Sequence, residues 1–236
     1  MRRKSSVGTA AAVLAVVGIL SGCDAMTTQS TLTTQVPTLS TAAPTSSAAP
    51  TSATPTAPPP PPIAAPVVYT GSGDAILHIT KPAGATAVIV TIVGNQVAKN
   101  FDVRAVDGAQ DHLVATTAPY HGSTLLDAAG TTTTQLRVHS AGSWSITLAD
   151  ARSAPVFAAG YNGEGDAVVL HQGQGGSTTI NATGSGPFLV KVYAAGRTAT
   201  LVKQTAPWSG IVPLPSGIAL LAVRAPGPWT MAVTHF

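Results

Sequence analysis

From residue 67 onward the chain alternates apolar and polar positions with a period of two, the spacing that sends successive side chains to opposite faces of a strand. Val88, Val90 and Ile92 alternate with Ile89 and Thr91, and Trp144, Ile146 and Leu148 alternate with Ser143, Ser145 and Thr147. Turn-forming clusters bound these segments, among them Gly94-Asn95, Asp107-Gly108, Gly175-Gly176 and the stretch from Pro215 to Gly217. No stretch in this region carries a long, capped apolar stripe at helical spacing. The pattern also occurs twice. Tyr69, Gly71, Gly73 and Asp74 recur as Tyr161, Gly163, Gly165 and Asp166; Phe101, Val103 and Arg104 as Phe188, Val190 and Lys191. Pro119, Tyr120 and Gly122 answer to Pro207, Trp208 and Gly210, and Leu136, Val138, Gly142 and Trp144 to Leu221, Val223, Gly227 and Trp229. The offset shrinks from 92 to 85, so the second copy has shorter loops. The expected fold is all-β: two tandem, sequence-related antiparallel β-sandwich units, residues 67–150 and 156–236, joined by a link around Arg152 to Pro155. The alternative is that the duplicated halves share one core.

The N-terminus follows a different logic. Arg2, Arg3 and Lys4 precede an uncharged apolar run from Val7 to Leu20, and Ser21-Gly22 supplies a small-residue cleavage site. Fourteen residues are short of the roughly 20 that a membrane-spanning helix needs, so residues 1–22 read as a signal peptide. Leu20, Ser21, Gly22 and Cys23 resemble the lipobox of bacterial prolipoproteins. That resemblance implies diacylglyceryl attachment to the Cys23 thiol, cleavage before it, and a cell-membrane protein held by acyl chains such as palmitate on the extracytoplasmic face. Two or three chains hold where one is marginal, at about 0.8 kcal/mol per buried methylene. Cys23 is the only cysteine, so no intramolecular disulfide is available and stability has to come from the core.

Residues 23–66 read as a disordered tether. Of the 43 residues from Asp24 to Pro66, 35 are Thr, Ser, Pro or Ala, too few large apolar groups to order a core. Pro58 to Pro62 favour extended polyproline geometry. Drawn out at about 3.1 Å per residue, such a segment reaches at most about 130 Å. An O-glycosylated stalk and a plain spacer fit this composition equally.

Charge excludes one class of partner. The formal net charge is +3, but loss of Arg2, Arg3 and Lys4 with the signal leaves 9 basic against 9 acidic residues. A neutral processed chain gives no warrant for nucleic-acid binding, which rests on phosphate neutralisation. Charged residues are only 9% of the chain, against about 25% in a typical globular protein, so surface polarity has to come mostly from Thr, Ser, Asn and Gln.

The opening Gly-Asp turn, the central Phe-x-Val strand and the closing Gly-x-aromatic-x-aliphatic strand resemble small β-sandwich accessory domains of secreted bacterial proteins, of the pre-peptidase C-terminal type. Such domains often bind calcium through extra acidic residues. Here Asp74 and Asp166 stand alone in their units, and each is read as a turn residue whose carboxylate accepts hydrogen bonds from its own turn. No metal site and no cofactor is expected. The six histidines, His78, His112, His121, His139, His171 and His235, show no metal-ligand spacing and read as surface or strand-edge residues. No nucleophile elbow, Walker A or dinucleotide fingerprint occurs.

Trp144, Trp229, Phe101 and Phe188 fall in phase with aliphatic faces and are assigned to the core. Tyr120 and Trp208 each follow a proline and precede a glycine by two positions, a turn setting that presents a flat ring for ligand binding. The function expected is a lipid-anchored, surface-displayed, non-catalytic binding or structural protein of the cell envelope. Its partners would be the membrane, through Cys23, and an envelope glycan or exported protein. A carrier of an apolar ligand, favoured by a large cavity between the sheets, is the first alternative. An envelope enzyme without a recognisable motif, favoured by a cleft holding paired titratable groups, is the second.

Overall fold

Eight strands occupy the first half of the β region in the computed structural model, which describes residues 61–95, 99–108, 112–117 and 119–234. Cys23 and most of the expected tether lie outside the described residues. The strands are β1 (Val67–Ser72), β2 (Ala75–His78), β3 (Val88–Gly94), β4 (Phe101–Ala105), β5 (His112–Thr116), β6 (Tyr120–Leu126), β7 (Gln135–His139) and β8 (Ser143–Asp150). They pair antiparallel into two four-stranded sheets, ordered β1-β8-β3-β6 and β2-β7-β4-β5. That order, in which each sheet is built from alternate hairpins of a rolled ribbon, is an eight-stranded jelly roll. Val88, Val90, Ile92, Trp144, Ile146 and Leu148 from one sheet meet Phe101, Val103, Leu136 and Val138 from the other in a fully buried core.

A short 3₁₀ turn, Ala151–Ser153, leads into β9 (Val156–Phe157), β10 (Gly160–Glu164), β11 (Ala167–Gly173), β12 (Gly176–Ala194), β13 (Arg197–Leu214), β14 (Gly217–Arg224) and β15 (Pro228–Thr234). The roll is repeated with two strands fused across the sheets. Residues 177–182 of β12 pair with β15, while 189–194 pair with β14, and β13 follows β12 along both parts. A register shift between Ala182 and Gly186 marks the crossing. Gly184 and Gly186 sit within β12, and Gly186 has φ 132°, which a side chain would resist. Phe157, Val169, Ile180, Phe188, Val190, Leu221, Trp229 and Met231 fill the second core.

The two copies reproduce the same closure. Gly71 lies opposite Trp144 in the β1/β8 register, and Gly163 opposite Trp229 in β10/β15. A Cβ at either glycine would collide with the indole, so glycine lets the ring lie flat across the neighbouring strand. Each indole Nε1 then donates at 2.9 Å to a carbonyl of the following turn, Gly73 in one copy and Gly165 in the other. Both turn glycines have positive φ, 72° and 64°.

A third, smaller apolar cluster joins the halves. Ile89 and Leu125, on the outer face of the first sheet, pack with Ala151, Ala154, Val168 and Leu170. The run Val168 to His171 is therefore buried on both faces of β11. His171 is 0% exposed, its ring 5.3 Å from that of Phe157, on a strand paired on both sides, which corrects its reading as a surface or strand-edge histidine. The second half thus covers one face of the first roll, and among the described residues nothing covers the outer face of β2-β7-β4-β5.

Candidate ligand-binding groove

That open face gathers scarce charge because the period-two alternation of β4 and β7 sends Phe101, Val103, Leu136 and Val138 inward and their neighbours outward. Cross-strand register aligns Ile76, Arg137, Arg104 and His112 in one row from β2 to β5. His139, Asp102 and Ala115 form the next row, with Asp74 just beyond β2. Together they line an open groove of about 1130 Å³.

Two carboxylates organise it. Asp102 accepts from Arg104 through Nε at 2.7 Å and Nη2 at 2.6 Å, and its other oxygen lies 2.7 Å from Nδ1 of His112. Asp74 lies 2.8 Å from Nδ1 of His139 and accepts the Ser140 backbone N–H at 2.9 Å. The Ser140 N–H and then the His139 contact hold the Asp74 carboxyl below the usual carboxylate range. Arg137 faces the groove directly opposite Arg104 and makes no ion pair among the described residues.

The same constellation recurs in the second half, partly covered. Asp166 accepts the Ala225 backbone N–H at 3.0 Å, as Asp74 does that of Ser140; Arg224 stands where His139 stands, and Lys191 where Arg104 stands. The aspartate turn reading therefore needs one correction. Each carboxylate bonds the loop leading into the last strand of its roll, not its own turn. In the second half the first half occupies this face: the Tyr120 hydroxyl donates to Asp166 at 2.8 Å, and Arg224 Nη2 donates to the Leu113 carbonyl at 3.0 Å. Leu113 is the extra residue of a β4/β5 bulge, which leaves its carbonyl available outside the ladder. A cavity of about 260 Å³ beside this contact is lined by Lys191, Tyr193, Arg224 and His112. His112 borders the open groove as well.

The two residues singled out for ligand binding lie elsewhere. Tyr120 begins β6 rather than sitting in a turn; it is half-buried against the first core, with its hydroxyl bound to Asp166. Burial, then the neighbouring Asp166, pushes its phenol well above the ordinary tyrosine value. Trp208 lies within β13, half-buried on the second core, with its ring centroid 6.0 Å from that of Phe188. Neither lines the groove. Asp102, Arg104, Arg137 and His139 were not singled out from sequence. Their signal was available: in a chain only 9% charged, the outward positions of two neighbouring strands carry an aspartate and two arginines. Among the described residues no group of three or more metal-ligating side chains is assembled.

No known protein family and no curated protein matches this chain. Among solved structures it is similar to a chain of Sulfolobus turreted icosahedral virus, at 11% identity and TM-score 0.26 over 72% of this chain and 92% of that one. It is also similar to A223, a turret protein of the same virus, at 12% identity and TM-score 0.24 over 72% and 96%. A chain described with the triple jelly-roll fold and turret assembly of an archaeal virus aligns at 10% identity and TM-score 0.26, over 72% and 58%.

Proposed function

We propose that this is a lipid-anchored display protein of the cell envelope, tethered to the extracytoplasmic face through Cys23 and binding an envelope component in the groove on β2-β7-β4-β5. The open groove supports the binding half of this reading: a concavity of about 1130 Å³ exceeds the roughly 300 to 1000 Å³ of small-molecule pockets, which suits an extended ligand. An apolar-ligand carrier has less support, because both concavities described lie outside the sandwich interiors, where Phe101, Phe188 and the two core tryptophans pack. An enzyme has one observation in its favour, the paired Asp102–His112 and Asp74–His139 in one cleft. That reading requires captured polymer to be cleaved, with cleavage lost in His139→Gln; the binding reading requires it back intact.

The test uses immobilised full-length protein against native envelope fractions, beside Ala115→Trp, which fills the groove with bulk and no change of charge. Retention of a glycan or exported protein should be lost in the variant. Equal retention removes the groove from the proposal. Anchoring is checked by radioactive palmitate labelling of cells, where continued labelling of Cys23→Ala would overturn the lipid anchor.

A further inference from the structure

The two halves present the same face, one open and one occupied, so the occupied copy reports the chemistry that this face accepts. In the second half, Asp166 takes a hydroxyl, that of Tyr120, and the basic residue beside it, Arg224, donates to an oxygen, the Leu113 carbonyl. The open face keeps the carboxylate as Asp74 and rearranges its other charges, with Arg224 replaced by His139 and Leu189 by Asp102. Lys191 is replaced by Arg104, and Ala222, the second-half counterpart of position 137, by Arg137. Arg104 and Arg137 then occupy directly paired positions on β4 and β7, with Arg104 bonded to Asp102 and Arg137 in no ion pair among the described residues. Asp102 already compensates Arg104, so Arg137 is the cation that an anionic ligand would compensate.

From this geometry we infer that the groove binds an acidic glycan, with the acid group of a sugar on Arg137 and ring hydroxyls on Asp74 and its neighbours. The inference rests on the binding role proposed above and names its ligand class. A carboxylate on Arg137 meets a planar guanidinium fork, which suits bidentate recognition. Hydroxyls are the ligand groups that an ionised, acceptor-only aspartate takes. The floor offers a sugar chain polar side chains and one exposed aliphatic residue, Ile76, which is 58% exposed. A peptide would instead add to the edge of β2, where a further strand could pair. Beyond His112, which borders both concavities, lie Lys191 and Arg224 together with Asp166.

Affinity electrophoresis of the full-length protein in detergent, with polymer cast in the gel, tests this. Polygalacturonate should retard the protein, and retardation should fade as salt is raised. Its methyl ester and poly-glutamate should retard it far less. Arg137→Gln should weaken binding to polygalacturonate roughly tenfold or more, the loss expected when a charge-assisted bond is deleted, while Arg137→Lys should retain part of it. Arg197→Gln, at the distant β12/β13 turn, should bind like the wild type. Equal binding by Arg137→Gln overturns the assignment, and so does equal retardation by poly-glutamate, which would mark a general polyanion or peptide surface. If methyl ester and acid retard equally and Ala115→Trp abolishes both, the acidic inference fails while the groove's binding role stands. If no polymer retards the protein and envelope capture is also empty, both fail.

Discussion

Tyr120→Phe is the most direct measure of how the halves are held together. The change deletes one oxygen, the hydroxyl that donates to Asp166 at 2.8 Å, and leaves the ring on the first core. Asp166 is only 13% exposed at its side chain, so water replaces that bond poorly. A hydrogen bond to an ionised group contributes about 1.5 to 3 kcal/mol, which for a protein of this size lowers the thermal midpoint by roughly 3 to 12 °C. Tyr120→Ala also removes the half-buried ring and should cost about 3 kcal/mol or more. The measurement is thermal or denaturant unfolding of the full chain, with Asp166→Asn and the double variant completing a cycle whose coupling energy isolates the pair. An alkaline titration supplies a second readout. Burial and Asp166 raise the phenol's folded pKa above its unfolded value near 10. The Tyr120 contribution is therefore fully present below about pH 10 and declines as pH rises further, because the unfolded chain ionises first. The Phe variant should lose that part of the decline. A Tyr120→Phe midpoint within 1 °C of wild type, with zero coupling to Asp166, would refute the lock and return Tyr120 to a solvent-exposed role.

Much of the fold was legible because period-two alternation and duplicated turns act locally. Trp144 and Trp229 were in phase with aliphatic faces, and both are buried. The roll's topology was not legible, since strand order depends on which distant segments pair. Ile89 shows the limit: it alternates with Val88 and Val90 and so reads as an outward residue, yet the second half covers that outer face. The unbroken apolar run at Val168 to Leu170 carried the complementary hint, since a strand buried on both faces loses its alternation. Tyr120 and Trp208 misled for a specific reason. Proline before and glycine after suggest a turn, but here the ring folds over the glycine two positions along its own strand. A Cβ at Gly122 would lie 2.8 Å from Tyr120 Cζ, and one at Gly210 would lie 2.7 Å from Trp208 Cη2. The groove needed both levels at once. Alternation gives the outward residues of each strand, and only the β2-β7-β4-β5 order sets Arg137 against Arg104.

Two further perturbations probe the cores and the buried charge. Trp144→Ala and Trp229→Ala should each cost about 3 to 5 kcal/mol in denaturant unfolding, since each ring is buried and each indole N–H is bonded; a loss under about 1 kcal/mol would overturn their core assignment. Asp127 is the sharper case, with its side chain 1% exposed and 2.6 Å from Lys81 Nζ. Burial opposes its ionisation, but Lys81, the Thr133 N–H and hydroxyl and the Thr131 hydroxyl outweigh burial and hold its carboxyl below the ordinary range. A depressed folded pKa means stability present above the unfolded value near 3.9 and lost as pH falls through the folded one. Asp127→Asn keeps the shape and tolerates the residue's φ of 62°, so the variant isolates charge from backbone strain. Removing one member of a buried pair costs about 3 to 5 kcal/mol, so the variant should be less stable at pH 7 and converge on the wild type as the medium is acidified. A constant gap between the two stability curves from pH 7 down through pH 3 would show that the ion pair contributes nothing and that Asp127 acts through its hydrogen bonds alone.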